Sequence, residues 1–207
     1  MYTSISLTKT ERVELCVFCD ASTMAIGAVA YLKTIQEGIV DIGFLMGKSK
    51  LAPQSEPTIP RLELCAAVLA VEMAELIQEE LDLKLDSIKV YTDSRVVLGY
   101  IHNQSRRFYV YVHNRVQRIR QTTNPEQWHY VRTEDNPADI ASRSVPASRL
   151  TQTMWFSGPT FLRKLSIQNR AYLVIQLSLT RIGCRDSSGC EELCHPATRE
   201  RSQHRAF

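Results

Sequence analysis

The sequence predicts an α/β domain: a five-stranded mixed sheet flanked by helices. Three observations predict it. β-prone runs alternate with helix-periodic runs in the order βββαβααβα. The first three strands follow one another at turn-length spacing, as an antiparallel meander does, whereas the last two are reached through helices, as parallel strands must be. Two strands, the first and the fourth, end on an acid.

Residues 13–20 (VELCVFCD) are apolar and rich in Val, Phe and Cys, and read as a strand closing at Asp20. Residues 25–33 (AIGAVAYLK) and 38–48 (GIVDIGFLMGK) read as the second and third strands. Gly27 and Gly43 inside them predict a bulge or a close backbone approach. A loop at 49–57 leads to a helix with Thr58 as cap and Pro60 in its first turn, running to about Leu81. Leu62, Cys65, Leu69, Met73 and Leu76 form its predicted apolar stripe, and Glu72, Glu75, Glu79 and Glu80 crowd the other side. Residues 87–93 (SIKVYTD) form the fourth strand, closing at Asp93. Residues 94–102 are a short helix capped by Ser94, 108–121 a helix bearing many arginines, and 126–132 the fifth strand. A last helix starts with Asn136 as cap and Pro137 in its first position.

Composition narrows the class without naming a partner. The 207 residues are 44% hydrophobic and 23% charged, with a net charge of +3, as in an ordinary globular protein. The charges are segregated. Residues 95–132 hold seven arginines against Glu126, while 72–86 hold six acids against Lys84, which predicts one basic and one acidic surface. The first 20 residues lack an apolar signal core, and the most apolar later stretch, 171–180, is too short to span a bilayer. The expectation is an intracellular protein, cytoplasmic or nuclear, with no membrane partner. Its six cysteines then read as thiols rather than disulfides. Cys16 and Cys19 lie three apart in a strand and so face opposite sides, which disfavours a shared metal or redox pair. Cys184, Cys190, Cys194 and His195 match no common zinc spacing.

Four acids stand at matched places: Asp20 and Asp93 at the ends of the first and fourth strands, Glu63 and Asp139 in the first turns of two helices. If those strands are neighbours, all four meet at one edge of the sheet. Any one of them alone reads as a cap or strand-end residue. Together, four converging carboxylates repel one another unless cations lie between them, and an all-oxygen set suits Mg²⁺ or Mn²⁺ rather than Zn²⁺. Two such ions about 4 Å apart can activate water and stabilise a leaving oxygen in phosphodiester hydrolysis.

The contexts of these acids resemble a known family. Residues 18–22 (FCDAS) with 25–29 (AIGAV), 61–67 (RLELCAA), 91–94 (YTDS) and 136–143 (NPADIASR) resemble, in order, the four acidic motifs of ribonuclease H. Residues 60–64 (PRLEL), 112–116 (VHNRV) and 155–162 (WFSGPTFL) are similar to BEL/Pao-type LTR retrotransposon polyproteins. The resemblance covers about 13–162. It implies a ribonuclease H-like fold and a metal-dependent endonuclease that hydrolyses the RNA strand of RNA–DNA hybrids, with the reverse transcriptase portion of the same polyprotein as partner. It implies two Mg²⁺ ions, replaceable by Mn²⁺. Asp20 would bridge both, Asp139 would help hold the one that activates water, and Glu63 and Asp93 would hold the one near the leaving oxygen. By motif position Ser22, Thr58, Ser94 and Arg95 are sugar–phosphate contacts. Arg115 and Arg118, on the arginine-rich helix with Tyr109 and Tyr111 interleaved, suit a polyanion from their charge alone.

The expected organisation is an N-terminal extension at 1–12, the ribonuclease H-like domain at 13–150, a retroelement-type extension at 151–165 and a basic, weakly ordered tail at 166–207. One departure stands out: the loop before the last acid, 133–135 (TED), lacks the histidine that many cellular ribonucleases H place there. A catalytically inactive nucleic-acid-binding remnant of a retroelement is the alternative. An actin-like ATPase, suggested by residues 20–22 followed by Gly27, lacks a second glycine-rich phosphate loop. A transposase-type core usually has its glutamate as the last acid, whereas here Glu63 is second.

Overall fold

The structure is a computed structural model that describes residues 10–52, 58–105, 107–143 and 145–164. The chain divides into two units, 1–165 and 166–207, and every described residue belongs to the first. The expected tail, with Cys184, Cys190, Cys194 and His195, lies outside the described residues.

The strands are β1 (Arg12–Ala21), β2 (Ala25–Gln36), β3 (Ile39–Leu51), β4 (Ser87–Thr92) and β5 (Trp128–Tyr130). The helices are α1 (Ile59–Glu80), α2 (Arg95–His102), α3 (Val110–Thr122), α4 (Ala138–Ser142) and α5 (Ala147–Leu150). The sheet order is β3-β2-β1-β4-β5. The β1–β2 and β2–β3 pairs are antiparallel, and the β1–β4 and β4–β5 pairs parallel. This is the predicted ribonuclease H-like architecture, a meander followed by two parallel strands.

Each sheet face carries its own core, because alternate residues of a strand point to opposite sides. Leu15, Val17 and Cys19 of β1 join Ala28, Ala30 and Val90 beneath α1. The helix buries Leu62, Leu69, Met73 and Ile77, and its alanines at 66, 67, 70 and 74 allow a close seat. Burying each large side chain of this kind is worth about 1.5–3 kcal/mol. The opposite face holds Cys16, Phe18, Tyr31 and Tyr91. Cys16 and Cys19 thus belong to different cores, both buried, and burial pushes the Cys16 thiol up to about 12.

Residues 151–164, expected as an extension, cover that second face. Phe161 packs edge-on against Phe18, at 6.1 Å between ring centroids. The Tyr31 hydroxyl donates to the Trp155 carbonyl at 2.6 Å. A Cβ on Gly47 would stand 2.3 Å from the Trp155 ring, so this strand position must be glycine for the indole to lie flat on β3.

Several local expectations are corrected. Leu76 is 41% exposed, because the buried stripe of α1 follows Met73 to Ile77 instead. Thr58 caps α1 only with its backbone carbonyl, which accepts from Arg61 and Leu62; its hydroxyl makes no cap bond. The break in the β2–β3 register lies at Ala30 and Tyr31, opposite Met46 and Phe44, and Gly43 pairs regularly with Leu32. β5 has three residues rather than seven, since Asn124 and Gln127 form a capping box that winds 125–127 into a 3-10 turn.

Candidate active site

The register places the first two acids. Cys19 of β1 pairs with Thr92 of the parallel β4, so Asp20 and Asp93 follow side by side at the same sheet edge. α1 and α2 begin at that edge. Ser94, the α2 cap, accepts from the Val97 amide at 3.1 Å and donates its hydroxyl to Glu63 Oε2 at 2.7 Å, drawing the first turn of α1 towards the end of β4.

α4 brings the fourth acid. Asn136 donates to the Cys19 carbonyl at 3.1 Å and accepts from the Ala138 amide at 3.2 Å. The helix begins at Ala138, with Pro137 in the cap position, one residue later than the sequence predicts. Ser142, at its end, donates its hydroxyl to Asp20 Oδ2. α4 lies directly on β2: a Cβ on Gly27, the residue paired with Asp20, would stand 2.6 Å from the Ala141 Cβ. The glycine predicted from the strand pattern is therefore a close-approach site.

Each acid has a partner of its own. Asp20 has Ser142 and Glu63 has Ser94. Asp93 Oδ2 accepts from the Thr133 hydroxyl at 2.8 Å. Asp139 Oδ1 lies 2.6 Å from Arg143 Nε, an ion pair without the alignment of a hydrogen bond. Thr133, Ser142 and Arg143 were not predicted as site residues. Their only signal in the sequence is proximity to the last acidic motif.

Burial pushes Asp20 up to about 6; the charges of Asp93 and Asp139 add to this, and the Ser142 hydrogen bond opposes it. Burial also raises Glu63, with Asp93 adding to the effect and Ser94 opposing it. The four predicted acids are therefore linked by mutual repulsion: Asp20 to Asp93 and Asp139, and Glu63 to Asp93. Among the described residues, however, no three Asp, Glu, His or Cys side chains form a ready cage for an ion. The carboxylates are turned to protein donors instead. The donor set is all carboxylate oxygen, which fits a hard divalent cation.

The predicted nucleic-acid contacts are mostly engaged inside the protein. The Ser22 hydroxyl donates to the Ser142 carbonyl at 2.6 Å and accepts from the Met24 and Ala25 amides. Ser94 is buried and holds Glu63. Arg115 lies 3.5 Å from the Tyr111 ring centroid and donates to Cys65 Sγ. Arg118 forms a forked pair with Glu75. Arg120 donates to the carbonyls of Ile101 and Asn103. The expected separation into acidic and basic surfaces is thus corrected where α3 packs on α1, because Arg118 there pairs with Glu75. Thr58 and Arg95 are exposed, Arg95 lying 5.0 Å from the Tyr130 ring centroid. His129 sits on β5 against Tyr91, not in the loop before Asp139. Burial lowers its pKa, and the Lys89 charge lowers it further.

Comparison with known proteins gives a family match. Residues 2–94 match the family model of the Pao retrotransposon-like RNaseH-like domain. No curated protein matches the chain. Among solved structures, the chain is similar to RNase H1 from the halophilic archaeon Halobacterium salinarum NRC-1. The identity is 17% and the TM-score 0.41, covering 63% of this chain and 93% of that one. It is similar to LC11-RNase H1 in complex with an RNA/DNA hybrid at 15% identity and TM-score 0.42, with the same coverage of 63% and 93%. It is also similar to the N-terminal RNase H domain of rv2228c from Mycobacterium tuberculosis, at 10% identity and TM-score 0.38, covering 80% of this chain and 99% of that one. These likenesses are low, and the topology above rests on this chain's own strand pairing. Among the described residues no helix is long and apolar enough to cross a membrane. The segment that carries Asp20, Glu63 and Asp93 thus lies within the residues, 2–94, that are similar to the Pao retrotransposon-like RNaseH-like domain.

Proposed function

We propose that this domain is a divalent-metal-dependent endonuclease that hydrolyses the RNA strand of RNA–DNA hybrids, acting beside the reverse transcriptase portion of a retrotransposon polyprotein. The observation that carries this reading is the gathering of Asp20, Glu63, Asp93 and Asp139 at one sheet edge, with Asp20 pushed up to about 6 by burial and by its acidic neighbours. Asp20, Glu63, Asp93 and Asp139 would hold two Mg²⁺ ions. When bound, the ions would activate water and stabilise the leaving 3′ oxygen. The chain's own part is to aim the carboxylates. Ser94 holds Glu63, Ser142 holds Asp20, and Thr133 holds Asp93. The exposed Thr58 and Arg95 remain to meet the sugar–phosphate backbone, which fixes position without reading bases. The N-terminal segment 1–12 and the tail 166–207 take no part in this reading.

The test is cleavage of an end-labelled hybrid by the purified chain. Cutting of the RNA strand in Mg²⁺ is expected, to be abolished by chelator and by Asp93→Asn. A folded protein that leaves the RNA intact in both Mg²⁺ and Mn²⁺ would overturn the reading. One observation favours the rival reading, an inactive nucleic-acid-binding remnant: no three acids form a ready cage among the described residues. Salt-sensitive hybrid binding without hydrolysis would establish that alternative.

A further inference from the structure

α4 has five residues, too few to hold its own place, yet it carries Asp139. Two hydroxyls from the meander hold its C-terminal carbonyls. Ser22, in the β1–β2 turn, donates to the Ser142 carbonyl at 2.6 Å. Ser49, near the end of β3, donates to the Ala141 carbonyl at 2.9 Å. Between them Gly27 provides the seat, since a Cβ there would stand 2.6 Å from the Ala141 Cβ and 3.0 Å from its carbonyl carbon. On the side towards β3 a cavity of about 310 Å³, lined in part by Ser49, Ile140, Arg143 and Trp155, leaves the helix without close packing. The Ser49 hydrogen bond ties the helix to β3 beside this cavity.

We propose that Ser22 and Ser49 are positioning residues that latch α4 onto the meander, holding Asp139 and the Ser142 hydroxyl against Asp20. The inference rests on the metal-centre reading and reassigns Ser22, whose motif position suggests a sugar–phosphate contact. The two roles separate cleanly. A backbone contact affects hybrid binding and leaves metal binding alone. A latch affects metal binding when no nucleic acid is present, because outer supports of metal ligands typically change affinity by about 10–100-fold.

The experiment is calorimetric titration of Mn²⁺ into the full chain without nucleic acid, for wild type, Ser22→Ala, Ser49→Ala, the double variant and Ser22→Thr. Circular dichroism and thermal melting would confirm that each is folded. Weaker Mn²⁺ binding is expected in each alanine variant, by about tenfold or more in the double variant. Ser22→Thr, which keeps the hydroxyl, should bind as wild type does. Amide exchange at Arg143, whose N–H donates to the Asp139 carbonyl at 3.1 Å, should quicken in the double variant. Unchanged Mn²⁺ affinity in a folded double variant would overturn the latch while leaving the metal centre standing. A wild type that binds no Mn²⁺ would overturn the metal centre, and the latch with it. Weakened hybrid binding by Ser22→Ala with unchanged Mn²⁺ affinity would return Ser22 to the phosphate-contact role.

Discussion

Two buried carboxylates share one face of β1, six residues apart, and their surroundings are opposite. Glu14 is fully buried and faces Lys33 at 3.6 Å, Lys89 at 3.1 Å and Arg12 at 2.9 Å. Burial raises its pKa, but the charges of Lys89, Lys33 and Arg12 and the Lys89 hydrogen bond outweigh it, and the net shift is downward. Asp20 is 9% exposed and faces Asp93 and Asp139, and it is pushed up to about 6. The chain supplies counter-cations to the first and more acids to the second. A carboxylate that the fold uses for itself is neutralised internally, whereas one left among its own kind requires a cation from outside.

The largest effects should come from removing each charge in turn. Asp20→Asn is expected to reduce hybrid cleavage to background while keeping the fold, because the amide oxygen still accepts from Ser142. In chelator its melting temperature should equal or exceed that of wild type. Glu14→Gln should do the reverse. It leaves Lys33 and Lys89 without their carboxylate and is expected to cost about 3–5 kcal/mol in denaturant unfolding, while any folded fraction still cleaves. Equal stability losses in the two variants would break the comparison.

The pH dependence of stability in chelator sharpens the contrast. Glu14 has a lowered folded pKa, so its contribution is present above the ordinary value of 4.5 and is lost as pH falls through the folded value. Asp20 has a raised one, so stability is fully present below 3.8 and is lost as pH rises through about 6. A rise of about 2 units corresponds to about 3 kcal/mol at neutral pH. Unfolding of wild type and Asp20→Asn from pH 3 to 8 should therefore diverge as pH rises from about 4 to about 6 and run parallel above that, with the wild type the weaker. Mg²⁺ should remove that deficit in wild type and have no such effect on Asp20→Asn.

A smaller change is expected at the support of Glu63. Ser94→Ala removes the α2 cap, worth about 1 kcal/mol, and frees Glu63. Thermal melting should show that loss, and Mg²⁺ should restore less stability than it does in wild type.

Much of this was legible in the sequence because it is local. The order of strands and helices along the chain, the acids at the ends of β1 and β4 and the Ser94 cap follow from periodicity and capping chemistry within a few residues. What was not legible depends on register. Glu14 meets Lys33 because β1 pairs with β2 at that position, and Lys89 because β4 runs parallel beside Cys16. Likewise Ser49 reaches Ala141 across 92 residues. The partners of the α3 arginines were illegible for the same reason. Their number suggested a polyanion, but packing on α1 turns Arg118 to Glu75 and Arg115 to Tyr111 and Cys65. Residues 151–164 gave a family resemblance but no hint that they close the second face, because Gly47 meets Trp155 only after the sheet has formed.

The most direct test is anomalous diffraction from crystals of the chain soaked in Mn²⁺. Two Mn²⁺ peaks among Asp20, Glu63, Asp93 and Asp139 are expected, with the carboxylates turned from their hydroxyl and guanidinium partners towards the ions. Ordered crystals that show no Mn²⁺ at these four acids, or show it only elsewhere on the surface, would contradict the account.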